Sequence, residues 1–168
     1  MGVVDVFNAL PTERLEEELL ACCAAPAWAG RVAAGRPYAD RAAILASADA
    51  ASRALSWSDV LLGLSAHPRI GERAAGESKE AAWSRVEQSA AAVSADEETK
   101  AALILANKEY EARFGHVFLI FASGRTQAEI LAVARERLGN DDAGERAIVS
   151  DELRRIARLR LERVLDAL

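Results

Sequence analysis

Metal, redox and membrane chemistry find little to work with in this sequence, because its 168 residues include only two cysteines and two histidines. Cys22 and Cys23 are adjacent, too few for a disulfide framework and without the spacing of a metal knuckle, so they read as reduced core side chains. His67 and His116 would need two or more carboxylates, or the cysteines, to complete a metal site, and no motif spaces them that way; the expectation is no metal. The longest apolar run, Val117 to Ala122, is far short of the roughly 20 residues that cross a bilayer. No basic-then-apolar leader opens the sequence, and Asp166-Ala167-Leu168 is not a peroxisomal Ser-Lys-Leu signal, so the expected compartment is the cytoplasm. Positive charge is outnumbered, 21 Lys and Arg against 26 Asp and Glu, which argues against a general nucleic-acid binder. There is no Gly-x-Ser-x-Gly elbow, phosphate loop or dinucleotide fingerprint, so nucleophilic and nucleotide chemistry find no support.

Aromatic residues make up 5% of the chain and β-branched ones are sparse, whereas Ala and Leu dominate a hydrophobic content of 51%. That balance favours helices over pleated strands, and the length suits one domain with one core over residues 1–168. Pro11-Thr12-Glu13 starts a helix that carries Leu15, Leu19 and Leu20 and ends near Pro26. Arg41 to Leu55 forms a second, and Ser56 caps a shorter one holding Val60, Leu61, Leu62 and Leu64. It stops before Ser65-Ala66-His67-Pro68. Pro68 disfavours an α conformation at His67, leaving that residue on a bent junction with its ring free to project, before a loop through Gly71 to Gly76.

A long helix is expected from about Ser78 to Val93, then a cap at Ser94-Ala95-Asp96-Glu97 and a helix reaching Arg113. The run from Phe114 to Ala122, bounded by Gly115 and by Ser123-Gly124, reads as a short, buried, extended segment near 116–122, although periodicity alone does not separate strand from buried helix. Thr126 caps a helix to Leu138 that Gly139 closes, and Asp141 opens a last helix running nearly to the end. The expected fold is therefore an all-α, single-domain helical bundle with that one extended segment.

Three features stand out from this frame. On a helical wheel Ala81, Ala82, Val86, Ala90 and Val93 share one side, while Ser84, Glu87 and Gln88 fall opposite. Spacings of three and four residues bring a hydroxyl, a carboxylate and an amide within reach of one small polar molecule, or else the trio is a solvated face. On the last helix Ile148, Leu153, Ile156, Ala157 and Val164 form an apolar arc from which Arg154, Arg155 and Arg158 project away, but Arg160 lies inside the arc. A guanidinium there keeps its proton and needs acceptors, either a Glu or Asp in a structural pair or the anionic oxygen of a ligand. Histidine ordinarily titrates near neutrality, so His67 on its loop is either a general acid or base or an ordinary loop residue. His116, within the apolar run, reads as packed and hydrogen-bonded.

Taken in order, several stretches carry a resemblance. They are His67-Pro68-Arg69-Ile70-Gly71, Ser84-Arg85-Val86-Glu87-Gln88, Asn107 with Tyr110, Phe114-Gly115, and Phe118-Leu119-Ile120-Phe121-Ala122. Arg137-Leu138-Gly139-Asn140 with Glu145, and Ile156-Ala157-Arg158-Leu159-Arg160-Leu161, complete the series. Together the chain resembles the 2-oxo-4-hydroxy-4-carboxy-5-ureidoimidazoline (OHCU) decarboxylases over nearly its whole length. The resemblance implies an all-helical domain, usually a homodimer, with no metal or organic cofactor. It implies decarboxylation of OHCU to (S)-allantoin and CO2 in urate breakdown. It makes His67 the catalytic histidine and Glu87 its acidic partner. It makes Pro68, Ser84, Arg85, Val86, Gln88 and the backbone of Leu119, Ile120, Phe121, Ala122 and Ser123 substrate contacts, and Arg160 the anion-binding arginine. Two departures stand out: His116-Val117 occupies a place where many relatives have Phe-Pro, and Ser123 one where many have an arginine, which here comes later as Arg125.

Two other readings compete. A non-enzymatic helical interaction module would use the Arg-rich last helix to dock a partner and predicts no turnover. A hydrolase of a neighbouring ureido or imidazole compound would release no CO2.

Overall fold

The computed structural model describes residues 1–71, 78–94 and 96–168, the side chains at 92–94 excepted. The expected loop as far as Gly76, Ala95 of the expected cap and the side chain of Val93 lie outside these residues. Among the described residues the chain forms ten helices and no strand, in accord with the expected all-α class. It divides into two compact units, Met1–Ala66 with Leu153–Leu168, and His67–Glu152.

The first unit contains α1 (Val3–Ala9), α2 (Thr12–Cys22), α3 (Pro26–Ala34), α4 (Arg41–Arg53) and α5 (Trp57–Leu64). To these it adds the C-terminal part of α10, which runs Asp142–Ala167. Leu15, Leu19, Cys22, Trp28, Ile44, Leu161 and Leu165 are fully enclosed, and both cysteines are free buried thiols. The helix starts follow local chemistry. The Asp40 carboxylate accepts the Ala43 amide at 2.8 Å, and the Ser56 hydroxyl accepts that of Asp59 at 3.2 Å, each satisfying a donor that a first helical turn leaves open. Helix α2 ends at Cys22, close to Pro26 as expected, and Pro26 itself opens a further helix, α3, because a first helical position needs no N–H and favours the φ that the ring fixes. Packing around α5 leaves no room at Gly63, where a Cβ would lie 2.9 Å from Leu153 Cδ2 and 3.3 Å from Cys23 Sγ. Arg154 and Arg158 do not simply project into solvent: both reach the half-buried Asp49, at 3.3 and 2.6 Å.

The second unit holds α6 (Lys79–Glu87), α7 (Ser89–Ser94), α8 (Glu97–Phe114), α9 (Gln127–Arg137) and the start of α10. The single helix expected from Ser78 to Val93 is two, interrupted by a turn at Gln88. Helices α8 and α9 pack together over Leu103, Ala106, Tyr110, Ile130, Leu131 and Ala134. Gly115 closes α8 at φ +81°, a left-handed conformation that glycine adopts without strain, and turns the chain into the 116–126 connection. The expected extended segment near 116–122 is not borne out. Phe118, Leu119, Ile120 and Ala122 are buried, but the residues form no strand, since side chains take the place of a neighbouring strand as hydrogen-bond partners. Arg137 Nη1 donates to the Leu119 carbonyl at 2.7 Å, and the Phe121 amide donates to Glu152 Oε2 at 3.0 Å.

Beneath that segment lies a buried ionic cluster. Glu145, fully enclosed, accepts the Tyr110 hydroxyl at 2.6 Å, Arg137 Nε at 2.7 Å and Asn140 Nδ2 at 3.1 Å. Burial, and next the hydrogen bond to this carboxylate, push the Tyr110 phenol well above its ordinary value.

Candidate active site

The bend at His67-Pro68 follows directly on α5, and both residues are half-buried. The next three residues are fastened at several points of the second unit. Arg69 makes a two-pronged pair with Glu111, through Nε at 2.6 Å and Nη2 at 3.3 Å. The Ile70 carbonyl accepts Asn107 Nδ2 at 2.8 Å, and the Gly71 amide donates to Gln88 Oε1 at 3.2 Å. That last bond ties the junction carrying His67 to the end of α6, where Gln88 sits as the C-cap.

Helix α6 is turned the opposite way from a solvated polar face. Ser84 is 4% exposed and Glu87 7%, whereas Val86 is 60% exposed and Ala90 is exposed as well. The wheel grouped Ser84 with Glu87 and both face inward, but Ala81 from its other side is buried too, Gln88 is only half-buried, and Ala90 belongs to α7 beyond the turn. A buried carboxylate and hydroxyl one turn apart are costly unless partnered, which is why a helix seldom adopts this orientation for packing alone. Arg85 is half-buried. Among the described residues no group of three or more His, Cys, Asp or Glu is placed to hold a metal ion.

The segment from Leu119 to Ser123 belongs to the same unit. After Ala122 it turns at Gly124 (φ +77°), with the Arg125 amide donating to the Ala122 carbonyl at 3.0 Å. Arg125, displaced from the place that many relatives give an arginine, reaches back to the Phe121 carbonyl through Nε at 3.2 Å. His116 is packed as expected. It lies edge-on to Tyr110 with ring centres 5.5 Å apart, and its Nδ1 is 3.0 Å from the Val117 carbonyl.

Arg160 lies in the first unit and is 2% exposed, as its place in the apolar arc implied. Its Nη1 is 3.5 Å from the Ala21 carbonyl, and its charge acts on Cys23. Burial pushes the Cys23 thiol up to about 11, against smaller opposing effects of a backbone hydrogen bond at Ala25 and of Arg160.

The family model described as OHCU decarboxylase matches residues 8–162. The chain belongs to the OHCU decarboxylase family. That family comprises carboxy-lyases, enzymes that cleave a carbon–carbon bond to release CO2. Among its curated relatives, the 2-oxo-4-hydroxy-4-carboxy-5-ureidoimidazoline decarboxylase of Amia calva is 32% identical over 84% of this chain and 81% of its own length. The uric acid degradation bifunctional protein TTL of Arabidopsis thaliana is also 32% identical, over 90% of this chain. This chain spans only 47% of that longer protein. A crystal structure of an OHCU decarboxylase in the presence of (S)-allantoin superposes with a TM-score of 0.76 at 29% identity, covering 89% of this chain and 98% of the other.

Within the OHCU decarboxylase frame, the motif residues Asn107, Arg137 and Glu145 hold loops that carry the candidate site residues. Sequence reasoning gave them no role. A signal existed for the last two, since an arginine ending one helix and a glutamate opening the next flank the Gly139 turn. Glu152 gave none, because its place on α10 looks like that of any half-exposed carboxylate.

Proposed function

We propose that this chain catalyses the cofactor-independent decarboxylation of OHCU to (S)-allantoin and CO2 in urate breakdown, and that residues 1–168 act as one catalytic domain in the cytoplasm. Beyond family membership, the observation that carries the reading is the inward orientation of Ser84 and Glu87 on α6, at the end of which Gln88 holds the His67 junction.

The departing carboxylate is attached to a ring carbon that bears a hydroxyl and adjoins a C=N bond. When that carbon–carbon bond breaks and CO2 leaves, its electron pair moves into the C=N, so the substrate is its own electron sink and needs no pyridoxal or thiamine. The protein has to hold the carboxylate out of the ring plane, assist the hydroxyl, and supply a proton to one face of the resulting ene-ol. His67, oriented by Glu87, handles the proton. Ser84, Gln88 and the backbone from Leu119 to Ser123 fix the ring and ureido oxygens, with Pro68 a further substrate contact. Arg160 supplies the anionic contact, a role that rests on the resemblance and on the need of a buried guanidinium for acceptors. Protonation from one side yields one enantiomer. Two copies pair, as in the family, and a monomeric sedimentation profile at micromolar concentration would refute that part.

The test is circular dichroism of OHCU freshly generated from urate, with wild type and His67→Ala in parallel and a metal chelator present. Wild type is expected to give the (S)-allantoin signal rapidly, and His67→Ala to lose about 10²–10⁴-fold in rate, the usual contribution of a general acid or base. A wild-type protein no faster than buffer removes the decarboxylase reading and leaves the interaction module as the one to examine.

A further inference from the structure

The connection between α8 and α9 is held as firmly as a strand without being one. Arg137 donates to the Leu119 carbonyl at 2.7 Å, with its guanidinium 4.6 Å from the Phe118 ring centre. Two residues on, Glu152 accepts the Phe121 amide at 3.0 Å, and Arg125 donates to the Phe121 carbonyl at 3.2 Å. Among the described residues, the amides of Phe118, Leu119, Ile120 and Ala122, all buried residues, meet no protein acceptor, and the last two flank the amide that Glu152 holds. Buried amides without an acceptor are rare in folded proteins, so a firmly held segment with several of them is suited to receive the oxygens of a ligand.

We infer that Glu152 is a positioning residue for the decarboxylation: by holding the Phe121 amide two residues beyond the Arg137 anchor at Leu119, it fixes the adjoining peptides so that the Ile120 and Ala122 amides remain free to donate to substrate oxygens. The inference rests on the proposed use of the 119–123 backbone as a substrate contact and adds a side chain that itself touches no substrate. A charged acceptor at Phe121 and a charged donor at Leu119 make these bonds stronger than neutral ones. A misplacement of about 1 Å far from the chemistry is enough to change turnover substantially.

The experiment compares Glu152→Ala and Glu152→Gln with wild type in steady-state decarboxylation of freshly generated OHCU, reading KM, kcat, optical purity of the allantoin and the thermal midpoint. Glu152→Ala is expected to raise KM on the order of tenfold, to change kcat much less, and to lower optical purity, because the loosened segment holds the ring less firmly. Glu152→Gln keeps an oxygen that accepts the Phe121 amide and is expected to restore most of both. Glu152→Ala with wild-type KM and optical purity overturns the inference, whatever its thermal midpoint, since that pattern marks a structural contact only. So does a Gln variant as impaired as the Ala variant, which would mean that the hydrogen bond is not the cause. Both outcomes leave wild-type turnover intact and are thereby distinct from failure of the functional reading, in which wild type itself produces no (S)-allantoin and this inference falls with it.

Discussion

The two units fasten chain segments with the same side chain and partner its charge differently. In the first unit Arg36 is half-buried and collects neutral oxygens: Nη1 donates to the carbonyls of Phe7, Asn8 and Leu10 at 3.3, 3.3 and 2.6 Å, Nη2 to the Thr12 hydroxyl at 3.1 Å, and Nε to the Ala33 carbonyl at 3.2 Å. Three of these carbonyls lie at or just past the end of α1, where a helix leaves acceptors open and its dipole is negative. In the second unit Arg137 is 4% exposed and rests on Glu145, which is itself fully enclosed. Depth accounts for the difference. A guanidinium that keeps part of its hydration is satisfied by carbonyl dipoles, whereas one removed from water needs an opposite charge close by. The deeper arrangement also lies beneath the segment proposed to meet substrate.

The sharpest way to break this comparison is to remove Glu145. Glu145→Ala leaves the Arg137 charge and the Tyr110 hydroxyl buried without their carboxylate, and the expected loss is about 3–5 kcal/mol in urea unfolding. Removing both charges, as Arg137→Met with Glu145→Leu, is expected to cost less than either single change, because no uncompensated charge remains. Single variants no worse than an ordinary surface substitution would mean that depth is not what demands the counter-charge.

At the shallower site the expected effect is smaller. Arg36→Ala removes bonds to several carbonyls, but water reaches that half-buried place and takes over part of the hydrogen bonding, so a loss of about 2 kcal/mol is expected. Arg36→Lys is expected to recover little, because one ammonium does not span acceptors set around a planar fork. The same urea titrations decide it, and an Arg36→Ala loss equal to that of Glu145→Ala would erase the distinction between the units.

This contrast marks what the sequence made legible. Helix starts at Ser56 and Thr126 were readable because a cap is a bond between neighbours in the chain, and both side chains make it. The buried place of Arg160 was readable because helical periodicity alone puts it in an apolar arc. The wheel likewise grouped Ser84 with Glu87, but periodicity sorts residues into faces without saying which face is inside, and only packing turned this polar side inward. The 116–122 run misled for a related reason. Its composition announced burial, and burial was found, but the partners that replace a strand ladder, Arg137 and Glu152, lie 18 and 31 residues away from the groups they bind. Pro26 was ambiguous by nature, since the same ring that ends one helix suits the first position of the next.

The smallest expected effect sharpens the comparison with pH. Burial raises the Cys23 thiol from 9.0 to about 11 in the first unit, and it raises the Tyr110 phenol in the second. A group whose folded value lies above its unfolded one adds stability that is complete below the unfolded value and is lost as pH rises through the folded value. For Cys23 that window opens near 9 and closes near 11, whereas the window for Tyr110 opens only above its ordinary value of 10.0. Between these openings the alkaline loss therefore includes a contribution from the first unit that the second does not share. By about one pH unit into the window it amounts to roughly 1 kcal/mol. Urea unfolding of wild type and Cys23→Ala over this range is expected to give curves that run parallel at neutral pH and converge as pH rises, the variant having no thiol to ionise. Curves that stay parallel to the top of the window would mean that the thiol ionises as readily in the folded protein as in the unfolded chain, and that the first unit admits more water around Cys23 than its packing implies.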